Sequence, residues 1–181
     1  VRPPKLLDRN ALMEYAARAL AARAQSTSEL RTRLHKKAAH KEDVEEVLAY
    51  LKESGYADDK RFAGAFADWR RENQGFGKAR VMRDLMARRV TPQVAQVAVE
   101  AAYKDSDEIT LIEAFVARKY RGKDLKTLLA EPKNLAAAYR KLRTAGFGGS
   151  NSIRVLKRFA SAAEELEDSP EQAEDIEEPE T

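Results

Sequence analysis

Cysteine is absent from the 181 residues, which excludes disulfides, thiolate nucleophiles, cysteine-ligated zinc and iron–sulfur clusters, and fits a reducing compartment, with the cytoplasm as the expectation. No apolar run approaches the roughly 20 residues that span a bilayer. The opening VRPPKLLDRN lacks the apolar core of a secretory signal, so a soluble chain with no membrane role is expected. Histidine is scarce: His35 and His40 lack the spacing and partners of a metal site and read as exposed polar residues, so no metal and no cofactor is expected. Convincing alternating, strand-like stretches are missing as well. What is present is apolar content of 43%, enough for a core in one domain or in an array of small units.

Charge is unevenly placed. Residues 164–181 hold ten of the thirty acidic residues and no Lys or Arg, so the net +3 of the whole becomes 33 − 20 = +13 for residues 1–163. A body this basic points to an anionic partner. Nucleic acid fits better than membrane, because no helix pairs a bulky apolar face with a purely cationic one. The segment EELEDSPEQAEDIEEPE has too little apolar surface to offset ordering, and an acidic disordered tail is expected over 166–181.

Helical periodicity recurs throughout: Val44, Val47, Leu48 and Leu51 fall at i, i+3, i+4 and i+7, and Phe62, Phe66 and Trp69 form a second stripe that reads as core rather than as base-stacking groups. Ser26 with Glu29 forms a capping box, Thr91-Pro92 supplies an N-cap followed by a proline at N1, and Asp105 or Ser106 precedes a further helix. Helices stop at Gly55, Gly75, Gly122 and Gly146. The spacing predicts about nine helices, at 10–23, 27–37, 42–54, 59–73, 77–88, 92–103, 107–121, 133–145 and 151–165, in three groups of three. Apolar pairs mark the second helix of each group (Leu30/Leu34, Val81/Leu85, Ala138/Leu142) and the third (Val44/Val47, Val94/Val97, Ile153/Leu156), separated by ten, nine and eleven residues. The expected fold is all-α, with tandem three-helix repeats in an elongated, curved array. Its parts are an N-terminal extension at 1–9, units at 10–57, 58–104 and 105–165, and an insertion at 122–132 in the third.

Asp58-Asp59 raises the question of an acid or metal site, but no converging ligand or nucleophile has a recognisable spacing. As a helix start the pair has an immediate account: Asp58 accepts from exposed N–H groups and Asp59 complements the dipole. GFGK at 75–78 is not a phosphate loop, since Glu72 stands where its first glycine is needed and Ala79 replaces Ser or Thr; GFGGS at 146–150 reads as an interhelical turn. No catalytic constellation is expected, and the protein reads as non-enzymatic. The basic residues are the better candidates: Arg70, Arg71, Lys78, Arg80, Arg83, Arg88 and Arg89 in the middle unit, and Arg140, Lys141 and Arg143 in the third, with Arg154, Lys157 and Arg158 nearby. Either phosphate or an acidic protein surface answers to such groups.

SELRTRL, then VEEVLAYLKESGYADDKRFAGAFADWRR, then GFGKARVMRDLMARRV resemble the successive motifs of the RecX family of bacterial RecA regulators. The signature is carried by Gly55, Tyr56, Asp58, Asp59 and Phe62, and the resemblance spans about residues 11–163. One departure is Arg89-Val90, where members commonly carry Gly near the end of the second helix. The resemblance implies a protein, monomeric when free, that binds RecA and its filament on single-stranded DNA. DNA contact would be direct or through the filament, and recombinase, ATPase and co-protease activities would fall. An extended array suits a filament groove, where several weak contacts add through effective concentration. The alternative from the residues alone is a general helical DNA-binding module or transcription regulator.

Overall fold

A computed structural model describes residues 6–166. Residues 1–5 of the expected extension and the acidic segment beyond Leu166 lie outside it. Ten α-helices occur among the described residues: α1 Arg9–Ala22, α2 Thr27–His35, α3 Glu42–Glu53, α4 Asp59–Trp69, α5 Lys78–Ala87, α6 Pro92–Ala102, α7 Glu108–Lys119, α8 Leu125–Leu129, α9 Pro132–Thr144 and α10 Gly149–Leu156. A π turn at Arg70–Gln74 continues α4, and a 3-10 turn at Ser161–Leu166 follows α10. The extended structure among the described residues is one bridge: Leu7 donates to Lys37 C=O at 2.7 Å and accepts from Ala39 N–H at 2.8 Å.

Local chemistry explains the boundaries. Gly55, Gly75, Gly122 and Gly146 all take positive φ, from 59° to 90°, where a side chain would be strained. Ser26 and Glu29 form the reciprocal capping box. Asp107, not Asp105 or Ser106, caps α7: Thr110 donates to its carboxylate from both N–H and hydroxyl, holding that carboxyl below its ordinary range. Thr91 is extended at the N-cap of α6 but makes no side-chain cap bond, leaving Pro92 as the operative start signal. Two expected boundaries moved. Within 122–132, Asp124 caps the short α8. The last helix ends at Leu156, well short of 165.

The chain forms two compact units, one from residues up to Gln74 with Val81–Asp105, the other from Gly75–Arg80 with residues from Ser106 onward. In the first, α1, α2 and α3 enclose Leu12, Leu30, Leu34, Val44, Val47 and Leu48, and α4 packs on α6. In the second, Ile112, Val116, Leu135, Leu142, Phe147 and Leu156 form the core; Phe76 packs against it, and Gly77 N–H donates to Ala145 C=O at 2.8 Å.

Burial shows a tighter repeat than the apolar pairs implied. Counting 10, 13 and 14 residues onward from Leu34, Leu85 and Leu142 reaches Val44, Val47 and Leu48, then Ala95, Ala98 and Val99, then Ser152, Val155 and Leu156, and all are buried. The expected pair Val94/Val97 is therefore out of register by one: Val94 is half-buried and Val97 is 67% exposed. Alanine carries little hydrophobic signal, so the buried stripe of α6 was masked by valines beside it. Trp69 is also corrected. Phe62 is buried and Phe66 half-buried, but the indole, at the last turn before the π turn, is 50% exposed.

Candidate nucleic-acid and partner interface

The acid pair at the α3–α4 corner is wholly employed in folding. Gly55 (φ 71°) ends α3 with Tyr56 and Ala57 N–H groups returned to Leu51 C=O at 2.8 and 3.0 Å. Ala57 is buried at this corner while Tyr56 faces solvent. The Asp58 carboxylate accepts from Lys60 and Arg61 N–H groups at 2.9 and 3.0 Å. Asp59 does more than complement its own helix: its carboxylate accepts Thr27 N–H at 2.7 Å, tying the start of α4 to the start of α2. That cross-helix bond joins residues 32 apart, which no local pattern reveals. Among the described residues no group of three His, Cys, Asp or Glu side chains is placed to hold a metal ion.

Three of the ten candidate basic residues are bound into the first unit. Arg70 pairs with Asp84 at 2.9 Å and lies over the Phe66 and Trp69 rings at 5.0 and 5.9 Å. Arg71 donates to Ala102 C=O and pairs with Glu72 at 2.7 Å, stitching the π turn to the end of α6. Nearby Tyr103 is buried, and that burial, opposed by the Arg71 charge, pushes its phenol up to about 12. Arg88 reaches both Glu29 oxygens at 2.6 and 2.9 Å and Ala24 C=O at 3.1 Å, with the Phe62 and Phe66 rings 5.0 and 5.5 Å from its guanidinium. Its own C=O accepts the Ser26 hydroxyl at 2.6 Å, so Arg88 joins α5 to the capped start of α2. Burial acts to raise the Glu29 carboxyl, but the Arg88 bond, the Ser26 N–H and Arg23 together hold it below its ordinary value of 4.5.

The other seven are surface groups or nearly so. Arg83 and Arg89 are exposed in the first unit. In the second, Lys78 is exposed at the start of α5 and Arg80 lies 5.4 Å from the Phe76 ring centre. Arg140 is exposed, Lys141 sits 5.4 Å from the Tyr120 ring centre, and Arg143 donates to Phe147 C=O at 2.8 Å. Lys157 and Arg158 pair with Glu164 and Glu113. Arg70, Arg71 and Arg88 are thus framework cations, a role that residue type alone does not carry.

Successive stretches match family models described as the first three-helix domain of RecX, at residues 13–59, and the second, at residues 58–99. These matches, with the repeated burial pattern, define a helical repeat protein of the regulatory class. Regulatory protein RecX of Deinococcus radiodurans is 32% identical over 161 residues, covering 88% of this chain and 74% of that protein. That of Escherichia coli strain SE11 is 33% identical over 130 residues, covering 66% and 76%. The chain belongs to the RecX family. Its fold is similar to a solved RecX from Lactobacillus salivarius, with TM-score 0.64 at 16% identity over 83% of this chain and 96% of that one. A second RecX crystal structure gives TM-score 0.60 at 16% identity over 81% and 72%. No described helix is long and apolar enough to cross a membrane.

Proposed function

We propose that this chain is a non-enzymatic regulator that binds a RecA-type recombinase and its filament on single-stranded DNA in the bacterial cytoplasm, and lowers strand exchange, ATP hydrolysis and co-protease activity. Membership of the RecX family carries the reading. The +13 balance of residues 1–163 supports it, because long-range attraction speeds encounter with a polyanionic filament. We read units at 10–57, 58–104 and 105–165 as separate, individually weak contacts whose effects multiply when they engage one filament. Lys78, Arg80, Arg83, Arg89, Arg140, Lys141 and Arg143 are the proposed contacting cations. Arg70, Arg71 and Arg88 act by holding the scaffold that presents them.

The test is a titration into RecA on single-stranded DNA, reading DNA-dependent ATP hydrolysis and strand exchange together. The proposal expects both to fall at or below one chain per recombinase. Unchanged rates with a folded protein contradict it. Sequence-selective duplex binding in their place would favour a general DNA-binding module.

A further inference from the structure

The excess of positive charge is concentrated in the second unit. Up to Leu166 its 67 residues hold 14 Lys and Arg against 7 Asp and Glu, or +7, whereas the 99 residues of the first unit hold 19 against 15, or +4. Residues 167–181, which continue from the second unit, hold eight Asp and Glu and no Lys or Arg. The acidic run begins within the described structure: Glu164 of the 3-10 turn pairs with Lys157 of α10, Ala163 is fully buried, and Leu166 packs against the core of the unit. Residue 167 therefore starts at the surface of the unit that carries the larger cation excess.

A cleft of about 260 Å³ lies in the same unit, between α7, α8 and the end of α10. Val116, Leu125, Val155 and Phe159 line it together with Glu113 and Arg158, which pair with each other through Arg158 Nη1 and one Glu113 oxygen. Their side chains are 42% and 52% exposed, so the pair is weakly held. A guanidinium has five N–H donors, and Arg158 can take a second carboxylate without giving up the first. Ile176 is the one large aliphatic side chain in residues 167–181 and stands between Asp175 and Glu177. The ten residues that lead to it from Leu166 reach up to about 33 Å, and a unit of this size is roughly 30 Å across. An aliphatic side chain flanked by carboxylates is the chemistry that an apolar cleft with one guanidinium accommodates.

We infer that residues 167–181 dock in cis on the second unit, with Ile176 in this cleft and a flanking carboxylate on Arg158, and that the docked segment screens the unit's cations from other polyanions. The segment is thereby a built-in brake that an anionic partner displaces. As regulation of filament binding this rests on the proposed function; the docking itself does not.

With no cysteine in the sequence, Ala173→Cys gives one attachment point for a nitroxide on the full chain. Broadening of backbone amide signals by the nitroxide is read at low and at raised salt, against the reduced label. Docking predicts broadening concentrated at Val116, Leu125 and Phe159, weaker in raised salt and abolished when Ile176→Ser is added. The second readout is affinity for a fluorescent oligo-dT strand by anisotropy, in chains without the label. Ile176→Ser leaves the net charge unchanged, and by freeing the docked fraction it raises affinity about three- to tenfold. Broadening spread evenly over the unit, or unchanged by Ile176→Ser, overturns the inference. So does broadening carried from a labelled chain to a separate isotope-enriched one, since the segment then docks on a second copy. Equal oligo-dT affinity of the two chains, or binding by neither, overturns it as well. Neither readout uses a recombinase, so a wild type without effect on RecA defeats the proposed function alone, and failure here with RecA regulation intact defeats this inference alone.

Discussion

Arg88→Met is the sharpest test of the framework role given to Arg70, Arg71 and Arg88. The guanidinium lies 2.6 Å from Glu29, with the two side chains 25% and 19% exposed. Breaking a fully buried pair costs about 3–5 kcal/mol, and an exposed one about 0–1 kcal/mol; this pair sits between, at about 2 kcal/mol. Loss of the cation from above Phe62 and Phe66 adds roughly 0.5–1 kcal/mol, while methionine retains much of the arginine stem's packing. The total is about 2–3 kcal/mol, a fall in thermal midpoint of roughly 5–10 °C for a chain of this size. Urea denaturation at neutral pH provides the measurement, in a double-mutant cycle with Glu29→Gln. The cycle should give a coupling of about 1–2 kcal/mol between the two sites. A loss below about 0.5 kcal/mol with no coupling, of the size seen for ordinary surface changes, would refute the reasoning and return Arg88 to the interaction surface.

Asp58→Asn keeps an oxygen for the Lys60 and Arg61 N–H groups and should match wild type, whereas Asp58→Ala loses about 1 kcal/mol by denaturant midpoint. Gly77→Ala places a Cβ on the Gly146 carbonyl and should cost about 2–4 kcal/mol as a rigid overpacking; Gly55→Ala, with open space but φ 71°, should cost only about 1 kcal/mol. Glu29 has a folded-state pKa below its unfolded 4.5, so its stabilising contribution is complete above about that pH and disappears as pH falls through the lowered folded value. Glu29→Gln should therefore flatten the stability profile on the acid side of 4.5; an unchanged slope in denaturation between pH 3 and 5 counts against the Arg88 clamp.

The helix boundaries were legible because their causes are local. A capping serine with glutamate three residues on, or a glycine at a left-handed stop, acts over one turn and leaves its mark in the residues themselves. The repeat was legible where leucine and valine carry it. It slipped in α6, where Ala95 and Ala98 hold the buried stripe and an exposed Val97 supplied the stronger apolar signal. Trp69 defeated periodicity for a related reason: it shares the stripe of Phe62, but α4 gives way at once to the π turn, and the indole ends half in solvent.

The candidate interface was legible in composition and not in geometry. Arg70, Arg71 and Arg88 look like the other candidate cations in sequence, and only their tertiary partners, Asp84, the Ala102 carbonyl and Glu29, mark them as framework. The same holds for Asp59, whose bond to Thr27 depends on two helix starts meeting. Arg89 is the reverse case. Its place in a turn suited to glycine was visible, and the structure shows it there with φ 58°.

The central claim, regulation through a recombinase filament, is most directly tested by co-sedimentation of the full chain with preassembled RecA filaments and with naked single-stranded DNA at equal nucleotide concentration. The account predicts preferential pelleting with the filament, saturating as ATP hydrolysis falls. Equal or greater recovery on naked DNA, with ATP hydrolysis unchanged, would contradict it.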